Sequence, residues 1–255
     1  MNLAAAIRTR PLTFLFGFAV VSLLTLWFVP PIPQSQLYHQ FADQRTMFGI
    51  PNFWNVVSNL PFLIVGAMGL LRVRGNWSAS TFFLGVLLTG IGSSYYHWNP
   101  DDMGLFWDRL PMSLAFMAAL AYVIEERIDA RAGQLLLWPL ILLGIVSLLV
   151  WIRTDDLRLY AWVQFFPLVT LPLMFWLLEP KYSGTPYWFV AAGLYALAKV
   201  LEYSDAAIHS ATGEIMSGHA LKHVAAAGAC YAIYLAITTR QPIERAVLAP
   251  TDAVT

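Results

Sequence analysis

Of 255 residues, 58% are hydrophobic and only 12% are charged, and the formal net charge is zero. Soluble domains average roughly 45–50% apolar and about 25% charged residues, so the composition excludes an ordinary soluble protein and predicts an all-α integral membrane chain. A neutral chain has no electrostatic footprint for nucleic acid, and the single cysteine, Cys230, sits in an apolar run where it serves as a small packing residue.

In chain order, Arg8 and Arg10 precede an apolar run over residues 12–29 that closes on Pro30-Pro31-Ile32-Pro33. The run is longer than the apolar core of a signal peptide and no small-residue cleavage motif follows it, so it is expected to stay as an anchor helix. Further apolar spans cover approximately residues 54–71, 80–97, 105–124, 134–151, 160–178, 186–203 and 217–238. Each is close to the roughly 20 helical residues that cross a bilayer. The expected organisation is an anchor helix and linker over 1–38, a seven-helix core over 39–240 and a mobile tail over 241–255.

Cytoplasmic connections retain Lys and Arg. With the N-terminus inside, the inner segments hold Arg8, Arg10, Arg72, Arg74, Arg127, Arg131, Lys181, Arg240 and Arg245, and the outer ones only Arg45, Arg153 and Arg158. Both termini are therefore expected in the cytoplasm. In that orientation His97 ends an outward helix, Asp108 opens the next inward one, and His219 and His223 occupy the first turns of the last, so all four share one depth near the outer face.

His219 and His223 are four apart, which places them on one helical face with Cβ atoms about 5–6 Å apart, a span that one metal ion can bridge. Histidines at this spacing also occur as packed or hydrogen-bonded residues. Ser93 and His97 repeat the spacing, although a serine in a membrane helix ordinarily returns its hydroxyl to the carbonyl four residues back. Three neutral imidazoles with an exchangeable fourth position form the usual catalytic zinc site. Asp108 adds a carboxylate, which near hydrocarbon costs about 2.5–3.5 kcal/mol at a helix centre and so demands a partner or a job. The partner is the adjacent Arg109; the job is accepting a proton from a metal-activated water. Leu110-Pro111 puts proline in the first turn of this helix and fixes its start. On the penultimate helix Lys199 and Glu202 are three apart and Asp205 follows; a salt bridge linking them to Lys222 on the last helix is expected. His209 and Glu214 fall in an outer loop at the entrance, and His39 reads as a solvated loop histidine.

The set Asn55-Val56-Val57-Ser58-Asn59, Gly92-Ser93-Ser94-Tyr95-Tyr96-His97, Asp108-Arg109-Leu110-Pro111-Met112 and His219-Ala220-Leu221-Lys222-His223 resembles the alkaline ceramidases, within a superfamily of seven-helix membrane hydrolases that includes the adiponectin and progestin receptors. The resemblance runs over roughly residues 39 to 238. It implies a seven-helix core that starts at Phe53-Trp54-Asn55, with residues 12–30 as an extra helix. It implies zinc on His97, His219 and His223, the hydrolytic water on Asp108, and Ser93 polarising the substrate carbonyl or stabilising the oxyanion. Asn55, Asn59, Lys199 and Glu202 belong to the site's surroundings. The implied reaction is hydrolysis of a ceramide-like N-acyl lipid to fatty acid and long-chain base; the alternative is a metal-containing lipid sensor with little or no turnover. One stretch departs from the pattern. Where eukaryotic ceramidases carry an acidic calcium-binding segment, this chain offers only Asp43, Asn52 and Asn55 as oxygen donors, and calcium prefers six to eight oxygens rich in carboxylate. Asp43 and Arg45 are expected to pair instead.

Overall fold

A computed structural model describes residues 3–243. They form helices joined by loops, with no β-strand among the described residues: α1 (Leu3–Thr9), α2 (Pro11–Thr25), α3 (Phe53–Val57), α4 (Leu60–Arg72), α5 (Trp77–Trp98), α6 (Asp102–Arg127), α7 (Ala130–Thr154), α8 (Arg158–Leu177), α9 (Thr185–Tyr203), α10 (Asp205–Ala211) and α11 (Gly218–Thr238). The expected tail lies, from residue 244 on, outside the described residues. Its first residues pair with the α8–α9 connection, where Ser183 N–H donates to Gln241 O and Ile243 N–H to Lys181 O, both at 3.0 Å.

The protein is an all-α integral membrane protein. By length and apolar composition, the stretches Pro11–Phe28, Phe53–Arg72, Ala130–Thr154, Arg158–Leu177 and Gly218–Thr238 can each cross a membrane. The other expected spans are helices α5, α6 and α9, with 22, 26 and 19 residues, or about 30–40 Å at 1.5 Å per residue. Their hydropathy is lowered by the residues that build the interior: Ser93 and His97 on α5, Asp108 and Arg109 on α6, Lys199 and Glu202 on α9.

Helices α4, α5 and α6 pack in sequence, α6 packs on α7 and α8, and α11 joins α9 to α4, closing a ring in which α8 and α9 touch only sparsely. Close approach rests on glycine, as is usual between membrane helices: a Cβ on Gly85 would meet Pro111 O and Ala115, and one on Gly66 would meet the backbone of Leu87. The extra helix α2 leans on α8 from outside. Phe18 stacks on Phe166 with centroids 5.5 Å apart, and Trp162 Nε1–H donates to Ser22 Oγ at 2.9 Å. Arg158 clasps its end by donating to Leu26 O (3.0 Å) and Val29 O (2.6 Å).

Two local features differ from the sequence expectation. The first core span, expected as one helix, breaks between α3 and α4: Pro61 cannot donate to a preceding carbonyl, and Asn59 Nδ2 donates to Asn55 O at 2.8 Å. Helix α6 starts at Asp102, so Pro111 lies inside it rather than in its first turn. The start is set by Asp101, whose side chain accepts from Gly104 N–H at 2.6 Å in an N-cap. Pro111 leaves the Trp107 carbonyl without its helical donor, and that carbonyl rests against Gly92 of α5, where a Cβ would collide with it.

At the end of the bundle away from His97, Arg127 is not a loop residue as expected but a buried one at the end of α6. It pairs with Glu126 at 3.3 Å, and Glu126 also takes Arg240 at 2.5 Å.

Candidate metal centre and cavity

Helix α5 delivers His97 in its last turn, and α11 delivers His219 and His223 from its first two turns. The start of α11 is fixed twice. Ser217 caps it through Ala220 N–H at 3.1 Å, and Asp205 of the unforeseen helix α10 accepts from His219 N–H at 2.7 Å. The same Asp205 carboxylate accepts from Ala42 N–H at 3.0 Å, tying the loop before α3 to the histidine helix. Asn52 Nδ2 donates to His97 O at 2.9 Å.

The three imidazoles are buried, and their ligand atoms lie within 4.8 Å of one another. His97 Nε2 is 3.3 Å from both His219 Nε2 and His223 Nε2. Zinc–nitrogen bonds of about 2.0–2.1 Å in a tetrahedron separate the nitrogens by roughly 3.3–3.4 Å, so the two distances at His97 are compatible with zinc. Hydrogen bonding alone does not account for it, because a neutral ring presents one proton or one lone pair at Nε2, and His97 Nε2 faces two like atoms at once. Behind the cluster, His223 Nδ1 is 2.8 Å from Ser58 Oγ. A proton on Nδ1 bonded to Ser58 leaves the Nε2 lone pair free for a metal, the usual outer-shell arrangement for a ligating histidine. Phe41 packs on the rings of His97 and His219 at 4.6 and 4.8 Å. Ser58 has no role that its sequence context reveals, Phe41 carries no sequence signal, and Asp205, expected to join a salt bridge with Lys222, instead accepts from the backbone of Ala42 and His219.

Beside the cluster lies a cavity of about 300 Å³, faced by His223, Ser93 and Asp108 at its polar end and running between Phe62, Phe175, Trp188 and Ile233. The Asp108 carboxylate interacts with the Ser93 hydroxyl and stands in the field of Lys222, Arg109 and Glu202. Among the described residues no ion pair joins Asp108 to Arg109. Successive helical residues diverge by about 100°, and Arg109 turns away to lie over Trp151 and Tyr160 at 4.6 and 4.9 Å. Glu202 receives Lys222 at 2.6 Å, the Tyr38 hydroxyl at 2.9 Å, and Lys199.

Asn55 is fully buried and donates to Asp43 O at 3.0 Å, while Asn59 bonds back to Asn55 O; both hold the loop and helix break beside the histidines rather than touching them. His39 is not solvated. It lies 2.9 Å from Tyr96 Oη and 3.1 Å from Asp102 Oδ1, because the 3₁₀ turn over Gln36–His39 is folded back over the bundle end. His209 sits on α10 with Nε2 4.0 Å from Asp43. Asp43 itself is taken by Arg45, which donates from Nε at 2.8 Å, Nη2 at 2.6 Å and its backbone N–H at 3.1 Å. Burial pushes the Asp43 carboxyl up, but these bonds outweigh it and hold the group below its ordinary range. With its one carboxylate so engaged and the amides of Asn52 and Asn55 turned to carbonyls, the set does not fit calcium.

The family model described as Ceramidase matches residues 45–179, more than half of the chain. The chain belongs to the ceramidase family. No curated protein matches it. The matched stretch of this ceramidase-family protein contains Ser93, His97 and Asp108 and ends before His219 and His223, which the fold brings to the same place. Membership makes it a membrane-embedded hydrolase of the ceramidase type, acting on an amide-linked lipid.

Proposed function

We propose that the protein is a zinc-dependent amidase that hydrolyses the N-acyl bond of ceramide-like lipids within the membrane, with residues 39–240 as its working core. The observation that carries this reading is the convergence of three imidazole Nε2 atoms beside Asp108 and Ser93 at the head of an apolar cavity. His97, His219 and His223 would hold the metal, which when bound supplies Lewis acidity toward the amide carbonyl and a lowered pKa for water. Asp108 accepts the proton of the attacking water at its carboxylate and returns it to the departing amine nitrogen. Once Asp108 carries that proton it can donate to Ser93 Oγ, which frees the Ser93 O–H to hydrogen-bond the carbonyl oxygen as negative charge grows there. The walls of Phe62, Phe175 and Trp188 receive the acyl chain and keep bulk water from the reaction.

The lipid enters sideways between α8 and α9. These helices touch sparsely, α8 carries Pro167 and Pro172 in its interior, and Phe165 and Phe189 both line the cavity and face outward, 45% and 47% exposed. The distribution of Lys and Arg supports cytoplasmic termini and a site toward the outer face.

Asp108→Asn tests the assignment, since it keeps size and removes the basic carboxylate. The variant should fold, retain about one zinc per chain, and release fatty acid from a short-chain ceramide some 10²–10⁴-fold more slowly. A fully active variant would exclude the proton-transfer role. A stable, metal-loaded parent inactive on every N-acyl lipid tried would move the protein to lipid sensing.

A further inference from the structure

Arg109 is a buried cation that the proposed chemistry leaves unused. It is 7% exposed and lines the cavity. Its guanidinium lies over Tyr38, Trp151 and Tyr160 at 5.5, 4.6 and 4.9 Å. Those ring faces fix its position and attract its charge, but they offer no acceptor in the plane of the N–H fork. Among the described residues it has no ion pair, and Nη1 is buried without a hydrogen-bond partner. A guanidinium carries five N–H donors and is always charged, and leaving it buried without an anion is strongly unfavourable.

The neighbouring charges do not supply that anion. Glu202 already serves both Lys199 and Lys222, and Asp108 is turned to Ser93. With all groups ionised, Arg109, Lys199 and Lys222 outnumber Asp108 and Glu202 by one at the polar end of the cavity, while the far end at Phe175 and Trp188 is apolar.

We propose that Arg109 binds an acidic group, phosphate or carboxylate, on the head of the lipid substrate, so that the preferred substrate is an acidic N-acyl lipid rather than neutral ceramide. Both oxyanions match the planar fork in bidentate fashion. The proposal rests on the hydrolase reading above and names the head-group class that reading leaves open.

The test compares full-length, zinc-loaded protein in non-ionic micelles on a short-chain ceramide and on its 1-phosphate. The wild type should favour the phosphate by about 10- to 100-fold in kcat/KM, as a charge-assisted hydrogen bond predicts. In Arg109→Gln that ratio should collapse toward unity through KM, and Arg109→Lys should keep part of it. Equal use of the two lipids by the wild type, or an unchanged ratio in Arg109→Gln, overturns the proposal while leaving the hydrolase reading in place. Stronger inhibition of wild type than of Arg109→Gln by added fatty acid, with no head-group preference, assigns the guanidinium to the product carboxylate and also overturns it. Inhibition by inorganic phosphate without preference for the lipid phosphate overturns the lipid source. If neither lipid is hydrolysed, the hydrolase reading falls, and quenching of tryptophan fluorescence on titration with each lipid still decides the head-group preference. Should Arg109→Gln fail to fold, the wild-type and Arg109→Lys ratios decide.

Discussion

Ser58→Ala removes one oxygen and leaves the three imidazoles and Asp108 untouched, yet it should weaken zinc binding. The Ser58 hydroxyl lies 2.8 Å from His223 Nδ1 in a buried setting. When Nε2 is given to a metal, Nδ1 must carry the proton, and without Ser58 that N–H has no acceptor. An unsatisfied buried donor costs about 1–3 kcal/mol. In the metal-free protein the imidazole can change tautomer or turn, so most of this cost falls on the bound state. At 1.4 kcal/mol per decade the expected loss of zinc affinity is about 5- to 150-fold, in line with the 10–100-fold typical of lost outer-shell partners. Competition with a chelator of known affinity, read after full equilibration, measures it, and thermal denaturation with and without zinc shows where the cost falls. An affinity within about twofold of wild type, with thermal stability lowered equally in both conditions, would refute the tautomer argument and reduce Ser58 to a packing residue.

Gly92→Ala places a Cβ against Trp107 O, and neither backbone can yield without parting α5 from α6; overpacking of this kind costs about 1–3 kcal/mol. The expected outcome is a lower melting temperature and an activity loss beyond the loss of folded protein, since Ser93 and Asp108 sit on the parted helices. Asp156 is held below its ordinary carboxylate range by hydrogen bonds from Arg158 against the opposing effect of burial. A depressed folded value means that its contribution is complete above the unfolded pKa of about 4 and is lost as pH falls through the folded value. Proteolytic cutting within residues 27–33, which Arg158 anchors, should therefore rise at acid pH in wild type, and in Asp156→Asn it should be high at neutral pH as well; equal cutting in both proteins at neutral pH would remove the clasp. For topology, cysteines at the exposed positions Asp101 and Arg131 separate the two sides, with an impermeant reagent labelling the first from outside and not the second. Arg127 does not serve, because its burial prevents labelling in either orientation.

The residues of the candidate site stand out in the sequence because polar side chains are rare in apolar spans, and because four-residue spacing survives any small error in helix boundaries. Ser58 was not, since its bond to His223 crosses between helices 165 residues apart and serine at a helix break has local uses of its own. The adjacency of Asp108 and Arg109 in sequence was a poor guide, because neighbours on a helix point to different walls. The apolar run alone puts Pro111 in a first turn, whereas the Asp101 cap starts the helix about two turns earlier. Only the partner helix reveals that Gly92 accommodates the carbonyl that this proline sets free. Hydropathy alone undercounts the spans for a related reason: α5, α6 and α9 give up apolar residues to line the interior.

His97 and His223 are separated by 126 residues, on the second and last helices of the core. A nascent chain that has not yet inserted α11 owns one of the three imidazoles, and only a chain that runs from the second core helix to the last owns all of them. A metal held by all three histidines would therefore be captured only at the end of biogenesis, once α5 and α11 bring their imidazoles to the same end of the bundle. A chain that skips one of the helices between α5 and α11 would deliver α11 from the wrong side and leave the three imidazoles apart.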